Sequence, residues 1–70
     1  MRKIMDGIWN VDVDIDLNFY DGFAGGNGGK SGYYFLDYTN SPRELKASIY
    51  YDTMDEAVRA YLHNRIEWES

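Results

Sequence analysis

The longest regular pattern in the chain is Val11–Tyr20, VDVDIDLNFY, where apolar and polar residues alternate without a break. Val11, Val13, Ile15, Leu17 and Phe19 fall on one side, and Asp12, Asp14, Asp16 and Asn18 on the other. A period of two over this length predicts a half-buried β-strand. Tyr33–Thr39, YYFLDYT, is aromatic-rich and predicts a second strand. Leu45–Asp52 predicts a third, with Leu45, Ala47, Ile49 and Tyr51 on one face and Lys46, Ser48 and Tyr50 on the other. Thr53-Met54-Asp55-Glu56 is a capping box, so a helix starts at Met54 and runs to about Glu67. Met54, Ala57, Val58, Tyr61, Leu62 and Ile66 give it an apolar stripe, and Asp55 with Arg59 has the spacing of an i,i+4 ion pair. Ile4, Met5, Ile8 and Trp9 have helix-like spacing broken by Gly7, and residues 1–10 read as a lead-in to the first strand.

The connections set the topology. Residues 21–32, DGFAGGNGGKSG, hold six of the seven glycines and form a long hairpin connection. Asn40-Ser41-Pro42-Arg43 is turn chemistry. Neither connection contains a crossover helix, so the strands are expected to be antiparallel. The expected architecture is α+β: a three-stranded antiparallel β-meander followed by one C-terminal helix packed on one sheet face (βββα), in one domain over residues 1–70. The helix is expected to cover Val11, Val13, Ile15, Leu17, Phe19, Leu36, Leu45, Ala47 and Ile49. The other sheet face then stays open and carries Asp12, Asp14, Asp16, Asn18, Lys46, Ser48 and Tyr50, with Tyr33, Phe35 and Asp37.

Composition narrows the classes. A chain of 70 residues buries only ~60% of the surface it exposes unfolded. It has no Cys, so neither disulfides nor a thiolate metal site can brace it. Twelve aromatic residues, seven of them Tyr, are left to build a dense core or an interface. The net charge of −5 repels phosphate backbones, which disfavours direct nucleic-acid binding and favours a basic protein partner. No apolar run approaches the ~20 residues of a membrane span, and no export pattern is present, so the expected location is cytoplasmic.

The candidate chemistry is a surface rather than a reaction centre. Alternate carboxylates on a strand stand ~6.6 Å apart, too far to close on one ion. The D-x-D-x-D string is not a calcium loop: Leu17 occupies the sixth place and Phe23 the twelfth, where Gly and Glu are needed. Its spacing is similar to that of successive phosphates on a nucleic-acid strand, so it suits a basic groove. Ala24–Ser31, AGGNGGKS, satisfies a loose phosphate-loop pattern, but that chemistry needs a strand running into a helix, and here strand-forming aromatics follow Ser31. His63, the single His, lies on the outer helix face. No nucleophile–base pair stands out, so neither catalysis, a metal nor a cofactor is expected. The expected partner-binding residues are Asp12, Asp14, Asp16, Tyr33, Phe35, Asp37 and Tyr50, with Phe23 and Lys30 from the glycine loop. The open face and the edge strand also offer a route to a homodimer.

Two resemblances bear on function. Gly32-Tyr33-Tyr34 through Asp37, followed by Asp52-Thr53-Met54-Asp55-Glu56-Ala57, resembles the N-terminal domain of HicB-type antitoxins, with its G-Y-x-x-x-x-D strand and D-T-x-x-E-A helix start. Asn40-Ser41-Pro42 stands where that family has its Pro-Asp-x-Pro-Gly-Cys-like turn. That resemblance implies neutralisation of a small basic toxin. In format, a short, acidic, Cys-free, aromatic-rich chain also resembles small phage anti-defence proteins, the anti-CRISPR proteins among them. That resemblance implies a non-enzymatic inhibitor blocking a basic nucleic-acid-binding site on a complex such as a CRISPR effector. A third expectation, from the glycine loop and Lys30, is sequestration of a small ligand such as a nucleotide.

Overall fold

The computed structural model describes residues 1–69. It is an α+β fold: a five-stranded antiparallel sheet in sequence order and one C-terminal helix. The strands are β1 (Arg2–Met5), β2 (Ile8–Asp12), β3 (Ile15–Tyr20), β4 (Gly32–Asp37) and β5 (Lys46–Ala47), and the helix is α1 (Met54–Leu62). The expected three strands become five because the first ten residues and the alternating stretch each fold into a hairpin.

The first hairpin has a recognisable cause. Asp6-Gly7 is a two-residue turn between β1 and β2, with Met5 paired to Ile8 and Gly7 at φ +82°. A positive φ costs a glycine little, and Asp-Gly is a strong hairpin signal. The second hairpin has no such cause. Residues 11–20 are not one strand: the chain turns at Val13-Asp14, and Asp12 pairs with Ile15. Neither turn residue has positive φ. Val11 is the extra residue of a bulge between the Asn10–Asp16 and Asp12–Ile15 pairs. The Asn10 side chain ties this turn together, donating to the Asp12 carbonyl at 2.8 Å and to the Asp16 carboxylate at 3.0 Å.

Register decides which face is core. Trp9 pairs with Leu17, and Leu17 with Phe35, so all three share the face under α1. Leu17, Phe35 and Ala57 are fully buried, and Trp9, Val11, Ile15, Tyr33, Tyr51, Met54, Val58, Tyr61, Ile66 and Trp68 pack around them. Phe35 was expected on the open face and Leu36 under the helix; the order is reversed, because Leu36 pairs with Asp16 and Ala47. Val13 is bare in its turn, Leu45 is exposed ahead of β5, and Ala47, also expected under the helix, shares the far face with its partner Leu36.

The expected third strand, Leu45–Asp52, keeps only two residues of regular ladder. The break falls at Ser48, which is 1% exposed. Its N–H donates to the Phe35 carbonyl, but the Phe35 N–H donates to the Ser48 hydroxyl at 2.7 Å rather than to a backbone carbonyl. One residue later in register, Tyr33 and Tyr51 exchange two backbone bonds, at 2.8 and 2.7 Å. Tyr51 therefore faces the core and Tyr50 the opposite side.

The helix begins as expected: the Thr53 hydroxyl accepts the Glu56 N–H at 3.1 Å, and Arg59 pairs with Asp55 at 3.2 Å. It ends five residues earlier than expected. Asn64 adopts φ +55°, the Arg65 N–H donates to the Ala60 carbonyl, and the Asn64 N–H donates to that of Tyr61. This is a Schellman closure with Asn in the left-handed position. The chain then reverses, and residues 67–69 lie along β5. The Ile49 N–H donates to Glu67 and the Glu69 N–H to Ala47, at 2.9 and 2.8 Å. No helix among the described residues is long and apolar enough to cross a membrane.

Candidate protein-binding surface

The two hairpin turns nearest the end of β4 gather the acidic residues. Asp12 closes β2, Asp14 sits in the β2–β3 turn, and Asp37 closes β4 opposite Ile15. The Tyr38 N–H donates to the Asp14 carbonyl at 2.7 Å, which pins the turn beside the end of β4. Asp12, Asp14 and Asp37 therefore share one end of the sheet, with Val13, 87% exposed, between the first two.

Each carboxylate has its own environment. One Asp12 oxygen accepts the Val13 N–H at 2.8 Å, and the other accepts the Tyr61 hydroxyl at 3.1 Å. That bond, and the carboxylate's charge behind it, push the Tyr61 phenol above its usual range. Asp37 accepts both the hydroxyl and the backbone N–H of Thr39, which hold it below the usual carboxylate range, with Lys46 adding to the effect. Asp14 and Asp12 are exposed, and Asp37 half-buried. Among the described residues, no Lys, Arg or His nitrogen lies within 4.0 Å of these three carboxylates. They stand at one end of a chain of net charge −5.

The remaining expected contact residues lie elsewhere. Asp16 is half-buried on the face away from α1, bonded to Asn10, so the expected row of three carboxylates on one face does not form. The hairpin separates them: Asp12 lies toward α1, Asp14 in the turn and Asp16 behind the sheet. Phe35 is core, and Tyr33 is half-buried under α1, its ring 5.2 Å from Phe19 and 6.2 Å from Trp9. Tyr50 does lie on the far face, between Tyr20 and Tyr34 at 5.5 and 5.2 Å, and burial is the main cause that raises its phenol pKa. That face is aromatic, but Asp16 is the one expected acid on it. It also holds Asn18, whose amide nitrogen is buried without a hydrogen-bond partner.

Phe23 and Lys30 sit in the β3–β4 loop, at the opposite end of the sheet from Asp14. Phe23 is 94% exposed. The loop closes on itself: the Gly25 N–H donates to the Gly22 carbonyl, and the Gly26 N–H to the Tyr20 hydroxyl at 2.7 Å. Gly22 has φ +84°, and a Cβ there would stand 2.6 Å from the Gly29 carbonyl oxygen, so this position admits no side chain without a shift.

Sequence reasoning missed Val13, Tyr38, Thr39 and Tyr61 as parts of the acidic end. A signal existed for Thr39, two residues after Asp37, because Asp and Thr side chains bond backbone locally. No signal existed for Tyr61, which reaches Asp12 across 49 residues. No group of three or more His, Cys, Asp or Glu among the described residues is arranged to hold a metal. Comparison with protein-family models, with curated proteins and with solved structures returned no match.

Proposed function

We propose that the chain is a non-enzymatic binding protein of the phage anti-defence kind. It seats its acidic end on the basic surface of a nucleic-acid-handling protein and blocks that surface. The observation that carries the reading is the convergence of Asp12, Asp14 and Asp37 at one end, with no cation within 4.0 Å among the described residues, around a bare Val13. Charge displayed without compensation steers encounter with an opposite field and sets orientation. An apolar side chain among the charges gives the contact area to bury once the partner arrives. The surface differs from the one expected of a straight strand: it is an end, not a face.

The test separates the two. The tagged chain is used to capture partners from host lysate at low and high salt, with identification by mass spectrometry and affinity measured on the purified pair. Capture of a basic nucleic-acid-binding protein is expected, lost at high salt. Asp12→Lys with Asp14→Lys should weaken it by about tenfold or more, while Asp16→Lys, on the far side, should leave it nearly unchanged. Undiminished binding by the Asp12/Asp14 double variant would sink the reading. Capture of a small basic toxin would move the assignment to an antitoxin.

A further inference from the structure

We infer that the β3–β4 loop is a preformed mount that presents Phe23 as an anchor for an apolar pocket on a partner protein. This contact lies away from the acidic end and stands or falls independently of the proposal above. Phe23 is the most exposed large apolar side chain among the described residues, at 94%. It belongs to residues 22–29, GFAGGNGG, which hold no charged residue in a chain where 27% are charged.

The loop beneath it has a defined shape. The Tyr20–Gly32 pair, at the end of the β3–β4 ladder, closes its base. An Asp21 carboxylate oxygen accepts the Phe23 N–H at 2.8 Å, and the Gly22 carbonyl accepts the Gly25 N–H at 3.1 Å, so the backbone on both sides of Phe23 is held. Gly22 packs directly on the returning limb, where only a residue without a Cβ fits against Gly29. On that limb the Lys30 N–H donates to the Asn27 carbonyl at 3.2 Å. The Gly26 N–H donates to the Tyr20 hydroxyl, and the Tyr20 ring packs on Tyr50, which packs on Tyr34. The mount is therefore tied to the tyrosine stack behind the sheet. A side chain placed before anything binds loses little freedom on association, which lets one aromatic residue act as an anchor.

The surroundings select the occupant. Burying residues 22–29 strips water from no carboxylate or ammonium. The N–H groups of Phe23, Gly25 and Gly26 already have acceptors inside the molecule, so the tip enters an apolar cavity without leaving those donors unpaired. A phenyl ring gains most where it is walled on several sides, as in a concave protein pocket. An anionic lipid surface and a second copy of the chain both bring negative charge toward a chain of −5.

The experiment places the photo-crosslinker p-benzoylphenylalanine in the full chain at position 23 and, for comparison, at position 62, where Leu62 is 71% exposed on α1. Each chain is irradiated in host lysate and its adducts are mapped by mass spectrometry. One protein is expected to crosslink from position 23 and not from position 62. Unlabelled native chain should compete for it, and Phe23→Ala should compete about tenfold more weakly or less while keeping the native Tm, since its ring is bare. Gly22→Ala, which keeps the phenyl ring and disturbs the mount, should also compete more weakly. Equal competition by Phe23→Ala would overturn the proposal, and so would equal crosslinking from position 62. Adducts with no protein, with lipid or with a second copy of the chain would overturn it too. The mount has its own check: ¹H–¹⁵N heteronuclear NOE values for residues 22–29 should match those of β3 and β4, and values far below them would remove it.

Discussion

Ser48 shows how much one side chain holds. Its hydroxyl accepts the Phe35 N–H and donates a hydrogen bond to the Ile49 carbonyl at 2.8 Å, both at the edge of the core. Ser48→Ala leaves a buried N–H with no acceptor, which costs about 1–3 kcal/mol. In a chain of this size that is a large share of the total, and urea unfolding should show it as a lower midpoint with an unchanged slope. The same care applies at Asp37. Its carboxylate is held below the usual range by Thr39, so the ionised form is favoured by folding. That contribution is complete above the unfolded pKa of about 4 and is lost as pH falls through the lowered folded pKa. Thr39→Val should raise the Asp37 pKa in a carboxyl NMR titration. It should also narrow its deficit in Tm against the native chain as the pH drops below that range. Neither residue's role was legible from sequence. The alternating run puts Ser48 on the open face, yet it is 1% exposed against Phe35, and alternation cannot say whether a hydroxyl replaces a carbonyl. Asp37 was legible as a charge, and its partner was not.

Among the elements, local chemistry was legible where one residue type forces one geometry. Thr53 and Glu56 placed the helix start, and Asp55 with Arg59 its first ion pair. Tyr50 and Tyr51 were assigned to opposite faces as they lie. The alternation of residues 11–20 misled because both arms of the β2–β3 hairpin put their apolar residues on one side: Val11, Ile15 and Leu17 were placed correctly, whereas Val13 lies bare in the turn and Phe19, also expected under the helix, is 43% exposed. In β4, Tyr33, Phe35 and Asp37 oppose Tyr34 and Leu36, a pattern with too little polar contrast to choose a face. Pairing with Leu17 chooses it. The helix end carries a prediction of its own. Asn64 holds the left-handed turn that sends the tail back to β5, and a β-branched residue pays roughly 1–2 kcal/mol there. Asn64→Val should lower Tm and weaken the hydrogen-exchange protection of the Ile49 and Glu69 amides first, whereas Asn64→Gly should keep both.

Taken whole, the molecule separates its tasks by position. The core lies between the sheet and α1, the tyrosines stack behind the sheet, and the acidic end lies along the row from Ile15 through Asp37 to Lys46. With −5 over 70 residues, association with the proposed basic partner should slow as ionic strength rises while dissociation changes much less. Stopped-flow mixing across a salt series would check this. The order β1-β2-β3-β4-β5 also has a consequence in time. Every strand pairs with its neighbour in sequence, so each hairpin can close as soon as it is synthesised. The pairing that caps β5 is different: Ala47 and Ile49 wait for Glu67 and Glu69. Until translation has passed residue 69, a nascent chain shows an open strand edge at β5. Its neighbours on a polysome show the same edge. During that interval the growing chain is most exposed to pairing with another copy of itself, and its acidic residues, already in place along the adjoining end, keep those copies apart.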